Sequence, residues 1–276
     1  MKTMKLGNLA GTRSLLINLT LRENRGRYKR SALGWAWSMV NPLSTMLIFT
    51  FVFRVVLRIE PPVGEPSGLK NFPFFLLAAL LPWNFLSNGL SAANGSIIAN
   101  AGLIKKVYFT RAVLPAAAVL SWNTNLLIEL GVLTLALAVA GNFVFLLLPL
   151  VLVVVLLQTF FVLGVGVALA ALNVYFRDIE HFLSILLLLW FYATPVIYPI
   201  SLVPQFHEIA GFTIPIRTVY DMNPMVHFVQ AYRSLFYDGA VPPAQSFLVM
   251  AAYSFVAMLV GMWVFRKLEA RFAEEL

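Results

Sequence analysis

NVYFRDIEHFLSILLLLWFYATPVIYP, residues 173–199, carries a charged knot, Arg177, Asp178, Glu180 and His181, between two apolar runs, and its second run is broken by Pro195 and Pro199. Ionised side chains are costly inside a bilayer, so the knot marks a turn outside it. The run that follows, residues 182–198, is short for the ~20 residues of a full crossing once Pro195 is counted. A membrane helix that starts from a charged turn and stops early on proline leaves space beyond its end.

Composition agrees with a membrane setting. The 276 residues are 60% hydrophobic and 12% charged, with a mean hydropathy of +0.83, against roughly 45–50% apolar and about 25% charged in soluble domains. Apolar runs take up most of the length, which leaves no room for a separate soluble catalytic domain. The formal charge of +8 does not point to nucleic acid, because the basic residues sit at the edges of apolar segments, where they read as membrane topology. There is no cysteine, hence no disulfide framework, thiolate metal site or cysteine nucleophile. The first thirty positions are broken up by polar and charged residues and lack the pattern of a cleaved signal peptide.

Before the knot, residues 113–140 and 143–172 are two apolar runs joined only by Gly141-Asn142, a tight helical hairpin. Gly164 and Gly166 allow close helix packing in the later run. Glu129 lies within the earlier one, with Asn123 and Asn125. An intramembrane carboxylate is either a functional group or an interhelical hydrogen-bonding group, and the lack of a second acidic residue in the other runs favours the latter. Residues 72–92, with Pro73, Pro82, Trp83 and Asn84, form another run, and residues 33–57 form the first, kinked or started at Asn41-Pro42 and ended by the snorkelling Arg54 and Arg58. The link NGSIIANAGLIKKVYFTR, residues 94–111, gains Lys105, Lys106 and Arg111 while Leu103, Ile104, Val107 and Tyr108 keep helical spacing. It predicts a short amphipathic helix that either lies on lipid or docks a partner.

After the knot, residues 200–238 are too polar to span and too apolar for an ordinary loop. Asn223-Pro224 starts a helix with Met225, Phe228, Val229, Tyr232 and Phe236 on one face and Gly239 at its end. At about 14 residues it is below spanning length, so the region is expected to be re-entrant or interfacial. Residues 246–264 form the last span. Residues 1–32, with Arg22, Arg25 and Lys29 on one helical face, predict an amphipathic interfacial helix, a basic disordered tail being the other reading. The fold class expected is therefore an all-α integral membrane protein: a cytoplasmic interfacial region over 1–32, then one six-span domain over 33–276. Six spans put both termini on one side, together with 15 of the 20 Lys and Arg, and the excess of positive charge assigns that side to the cytoplasm.

Chemistry is sparse. No GxxxxGK[ST] phosphate loop and no HExxH occurs, and His181, His207 and His227 are scattered, so neither a nucleotide site nor a metal site is expected. The Arg177–His181 knot fits ion pairing and partner contact better than catalysis. Aromatic residues remain: Phe49, Phe53, Trp83, Phe85, Trp190, Tyr192 and Tyr198 are candidates to line a passage, where sugar rings can stack on aromatic faces, although many membrane aromatics simply face lipid.

Several stretches in order, Arg27-Tyr28-Lys29-Arg30-Ser31-Ala32-Leu33-Gly34 through Trp37 and Asn41-Pro42-Leu43, Leu81-Pro82-Trp83-Asn84-Phe85, Asn100 to Lys106, Asn173 to Asp178, and Asn223-Pro224 to Tyr232-Arg233, resemble the membrane subunits of polysaccharide-exporting ABC transporters, the O-antigen and teichoic-acid exporter type. The resemblance implies a multi-pass permease of the bacterial plasma (inner) membrane, acting as a homodimer with two copies of a separate ATPase that would bind ATP and magnesium. The permease itself would be no enzyme and would hold no cofactor or metal; its substrate would be lipid-linked glycan. It further implies an interfacial helix carrying Arg25, Arg27, Tyr28, Lys29, Arg30 and Trp37, and ATPase coupling through Leu103, Ile104, Lys105, Lys106 and Tyr108 with a second contact at Arg177 and Asp178. Exporters of drugs or simple lipids share this fold, and an ion-coupled carrier using Glu129 is the reading from another class.

Overall fold

A computed structural model of the chain describes residues 6–27, 34–58, 60–209 and 212–276. Helix α1, Leu6–Arg27, ends with Arg25 and Arg27 in its last turn, where positive charge complements the helix dipole. Helix α2, Trp37–Thr50, accommodates Pro42 and runs on as a π-helical turn, Phe51–Val56; Arg58, with φ 55°, stops it. Helix α3, Phe72–Ala99, has Pro73 in its first turn, where no intrahelical N–H is lost. The short α4, Ala101–Lys106, follows at once, then α5, Val113–Val139. The hairpin turn after α5 uses Gly141 at φ 87°, a left-handed conformation that glycine adopts without strain, and leads through residues 145–147 into α6, Leu148–Tyr175.

Helix α7, Ile179–Tyr192, covers 14 residues, about 21 Å at 1.5 Å per residue. This is the expected span at 182–198, displaced: it starts three residues earlier and ends at Tyr192, with turns rather than helix through Thr194, Pro195 and Tyr198. Beyond it come an antiparallel hairpin, β1 His207–Ile209 with β2 Phe212–Ile214, then α8 Ile216–Asp221 and α9 Pro224–Arg233, the last extended by a π-helical turn to Asp238. Among the described residues this hairpin is the one departure from the all-α fold that the sequence predicts. Helices α10, Ala244–Leu268, and α11, Phe272–Glu275, complete the chain.

Among the described residues, five helices are long and apolar enough to cross a membrane, Met39–Val56, Phe72–Ala99, Val113–Val139, Phe145–Tyr175 and Ala244–Arg271. An apolar cluster at one end of the bundle joins Leu19 of α1, Ile97 of α3, Ile104 of α4, Leu114 of α5, Val174 of α6, Phe265 of α10 and Phe272 of α11. Both ends of the described chain therefore meet at one end of the bundle. Helix α7, apolar but only 14 residues long, stands as a shorter helix beside the five. Helix α3 is the centre of the bundle, with 72% of its spanning window buried, whereas only 6% of the α2 window is.

Glycine sets the closest approach. A Cβ on Gly164 would lie 2.5 Å from the Ala257 carbonyl oxygen, and one on Gly261 would lie 2.7 Å from the Gly164 carbonyl carbon. Helices α6 and α10 thus cross with their backbones in contact, as small-residue membrane interfaces do. Gly166 keeps α6 close to α3, where an added Cβ would lie 2.8 Å from the Ala93 Cβ.

Candidate functional site

Helices α2, α3 and α7 line an open groove of about 490 Å³. Asn84, Ser87 and Ser91 of α3 recur at three and four residues, so they share one helix face; Ser184 of α7 and Thr45 of α2 add hydroxyls. Aromatic rings supply the rest. Phe191 meets the edge of Trp83 at 5.5 Å and Tyr192 at 5.2 Å, and stacks on Phe49 at 6.5 Å. A wall that alternates flat apolar faces with hydroxyl and amide groups suits a flexible chain of rings edged by hydroxyls.

Of the aromatic residues chosen from sequence, Phe49, Trp83 and Tyr192 line this groove. Phe53 stands next to Phe49, at 6.1 Å, and stacks on Phe72. Trp190 lies behind the wall, edge-on to Trp83 at 6.1 Å. Tyr198 sits at the end of the groove farther from the terminal cluster of α1 and α11, termed its outer end, with its hydroxyl donating to the Tyr192 carbonyl at 2.7 Å and paired with the Tyr220 hydroxyl at 2.9 Å. Phe85 is 2% exposed and belongs to the core, not to the groove. The small polar lining of α3 was missed, although polar residues at helical spacing in an apolar span were there to be read.

The outer end of the groove is held by α9. Asn223 caps that helix by accepting from the Met225 N–H, at 3.0 Å. The same side chain accepts from Trp190 Nε1 at 2.8 Å and donates to the Ala193 carbonyl and Thr194 Oγ1, each at 3.0 Å, so all four of its bonding positions are used. Arg233 donates to the Val196 carbonyl at 2.7 Å and the Tyr198 carbonyl at 3.2 Å, with its guanidinium 3.8 Å over the Phe75 ring. The proline break leaves backbone carbonyls without helical partners, and these two side chains satisfy them. Asp238, one turn on, has its carboxyl pushed up by burial and pulled back by the Arg233 charge.

Helix α9 enters the bundle rather than resting on it. Tyr232 donates to Gln158 at 3.0 Å, and Gln158 donates to the Pro82 carbonyl at 2.8 Å. Gln158 and Pro82 each lie ten residues inside their helices, about 15 Å from the outer ends. The expected re-entrant face, Met225, Phe228, Val229, Tyr232 and Phe236, is fully buried.

At the opposite end, Ile104 anchors α4 in the terminal cluster and Leu103 packs against it, while Lys105, Lys106 and Tyr108 are exposed. The helix stops at Lys106, so Tyr108 stands on extended chain beyond it. Arg177 and Asp178 lie exposed on the turn between α6 and α7. Among the described residues the knot makes no ion pair, contrary to expectation: the described pairs are Arg22–Glu23 and Arg217–Asp221.

Helix α1, where the sequence predicts an interfacial helix, docks on α5 more deeply than a purely lipid-lying helix would. Leu19 is buried, Ser121 of α5 donates to Asn24 at 2.7 Å, and Arg27 donates to Ser121 at 2.9 Å with its guanidinium 3.7 Å from the Trp122 ring centroid. Ile17 and Leu21 remain exposed on another face, as does Arg25. Trp37 begins α2 and is exposed; Tyr28, Lys29 and Arg30 lie outside the described residues. Glu129 is buried on α5, 6% exposed, and no described residue pairs with it.

Residues 14–237 match the ABC-2 type transporter family. The O-antigen export system permease protein RfbA of Myxococcus xanthus is 35% identical to this chain, over 96% of each. A Klebsiella pneumoniae protein of the same name is 30% identical, over 97% of this chain and 96% of its own length. The polysialic acid transport protein KpsM of Escherichia coli is 24% identical, over 91% of this chain and 92% of its own. With the match running from α1 through α9, the chain belongs to the ABC-2 type transporter family.

Proposed function

We propose that this chain is the membrane permease of an ATP-driven exporter that moves lipid-linked polysaccharide of the O-antigen kind across the bacterial inner membrane. The observation that carries this reading is the groove along α3, where hydroxyl and amide groups share one wall with aromatic rings. Relatives named for O-antigen export and polysialic acid transport supply the substrate class. The groove is open, and a second copy of the chain facing it would close it into a conduit. The sparse burial of α2 leaves an apolar helix free for that contact. Both termini lie in the cytoplasm in this reading, where α4 and the Arg177–Asp178 turn present exposed charge to two copies of an ATPase that binds ATP and magnesium.

Filling the groove tests the assignment. Ser87→Trp should abolish surface polysaccharide in cells relying on this permease, while its membrane level stays near wild type and lipid-linked glycan accumulates inside. Normal export by that variant, or ATP-independent transport by the chain alone in liposomes, would overturn the reading. Glu129→Gln separates it from an ion-coupled carrier. Export should remain within about twofold of wild type if Glu129 is structural, and should vanish if its ionisation drives transport.

A further inference from the structure

Ser91 belongs to two cavities. It closes the inner end of the groove, and it also lines a second pocket of about 280 Å³ between α1, α3 and α5. Gly95 and Ala118 keep the far wall of that pocket low, while α1 contributes Arg22 and Arg27. Arg22 places Nη2 at 2.8 Å from Asn100 Oδ1 and 3.0 Å from Glu23 Oε1, with about half of its side chain still exposed. Arg27 is oriented by the Trp122 ring and by Ser121. One carboxylate, Glu23, faces two guanidinium groups here, so the pocket is net positive. It lies where α3 ends and α5 begins, at the end of the bundle that holds both termini, and so at the depth of inner-leaflet headgroups.

We propose that this pocket binds a phosphate head group on the lipid that carries the glycan, an inference that rests on the export reading above. Arginine recognises phosphate through its planar fork of donors, with charge and direction together. The pocket is large enough for a diphosphate with the start of its attached chain and too small for the lipid tail, which must stay in the bilayer. From Ser91, the line Ser87 and Asn84 leads about 10 Å outward along the same helix face. A phosphate seated between Arg22 and Arg27 would therefore hold the first sugars at the inner mouth of the groove, and the pocket fixes which end of the chain enters it.

The test uses the full chain with its co-purifying ATPase in phosphatidylcholine nanodiscs and geranylgeranyl diphosphate as the probe. Wild type should bind the probe, Arg22→Gln should weaken binding about fivefold, and the pair Arg22→Gln with Arg27→Gln by more than tenfold. Arg22→Lys should restore part of the affinity. Arg27 also braces α1, so Arg22→Gln, which leaves that brace intact, decides the matter if the double variant elutes abnormally. Unchanged affinity in Arg22→Gln overturns the proposal. Equal displacement by inorganic diphosphate, or loss of probe binding when phosphatidylglycerol is added to the nanodisc, also overturns it by assigning the pocket to free phosphate or to ordinary phospholipid. Ser87→Trp distinguishes the two levels: it should bind the probe normally yet fail to export. If Ser87→Trp exports normally while Arg22→Gln loses the probe, the groove reading fails and the phosphate pocket stands; if Arg22→Gln binds normally while Ser87→Trp blocks export, only the pocket fails.

Discussion

Replacing Gly261 by alanine should prevent the bundle from assembling. The added Cβ would meet the carbonyl oxygen of Gly164 as well as its carbonyl carbon, the latter at 2.7 Å. These are backbone atoms of a second helix, so no rotamer change can make room, and α6 and α10 must separate. Ordinary overpacking of a core costs about 1–3 kcal/mol; here the whole contact opens, because only 17% of the α10 window is buried at all and Gly261 is among its few buried residues. Monodisperse protein recovered by size-exclusion chromatography should fall at least tenfold. Gly164→Ala meets the Ala257 backbone and should behave alike, and the double variant should be little worse than either, since both act on one contact. Gly131, whose added Cβ would meet nothing within 4 Å, is the control: Gly131→Ala should be neutral or stabilise slightly. Normal yield of Gly261→Ala would mean that α10 packs elsewhere.

The same pair shows what one sequence can and cannot say. Gly164 was legible as a close-packing residue, but its partner was not, because glycine on a helix states only that something approaches. Early termination of α7 could be read from Pro195, a local property of the chain. The side chains that compensate the break come from residues 223 and 233, which a linear reading treats as a helix cap and a lone arginine. The cap at Asn223 was correctly anticipated from Asn-Pro; its other three hydrogen bonds depend on where α7 ends in space. Likewise the aromatic residues of the spans were visible, yet whether Phe85 or Phe191 faces the groove depends on helix rotation, which a uniformly apolar run leaves undetermined. Asn84, Ser87 and Ser91 do specify a face. The hairpin at 207–214 gave only two short alternating runs, too brief to separate from loop.

Arg233→Ala should unfasten the outer end of the groove. The residue is 3% exposed, and its two hydrogen bonds go to carbonyls that the break at Pro195 has stripped of helical partners. Leaving the buried Val196 acceptor and the part-buried Tyr198 acceptor unpaired costs about 1–3 kcal/mol each, and losing a desolvated contact with the Phe75 ring adds up to about 2 kcal/mol. A total near 4 kcal/mol corresponds to a fall of roughly 10 °C in the unfolding midpoint, measurable on detergent-solubilised protein. Arg233→Lys keeps the charge but cannot fork between the Val196 and Tyr198 carbonyls, so it should lose about half as much. The damage should also be local: hydrogen exchange should rise at residues 193–203 and 224–238 and stay unchanged in the terminal cluster around Phe265 and Phe272. A midpoint within 2 °C of wild type for Arg233→Ala would show that water or other donors satisfy those carbonyls. If the midpoint falls and exchange rises only at the outer end, α7 is a helix whose early stop is stable because a neighbouring element completes it. The mouth of the groove is then a jointed structure, able to part between α7 and α9 without unfolding either.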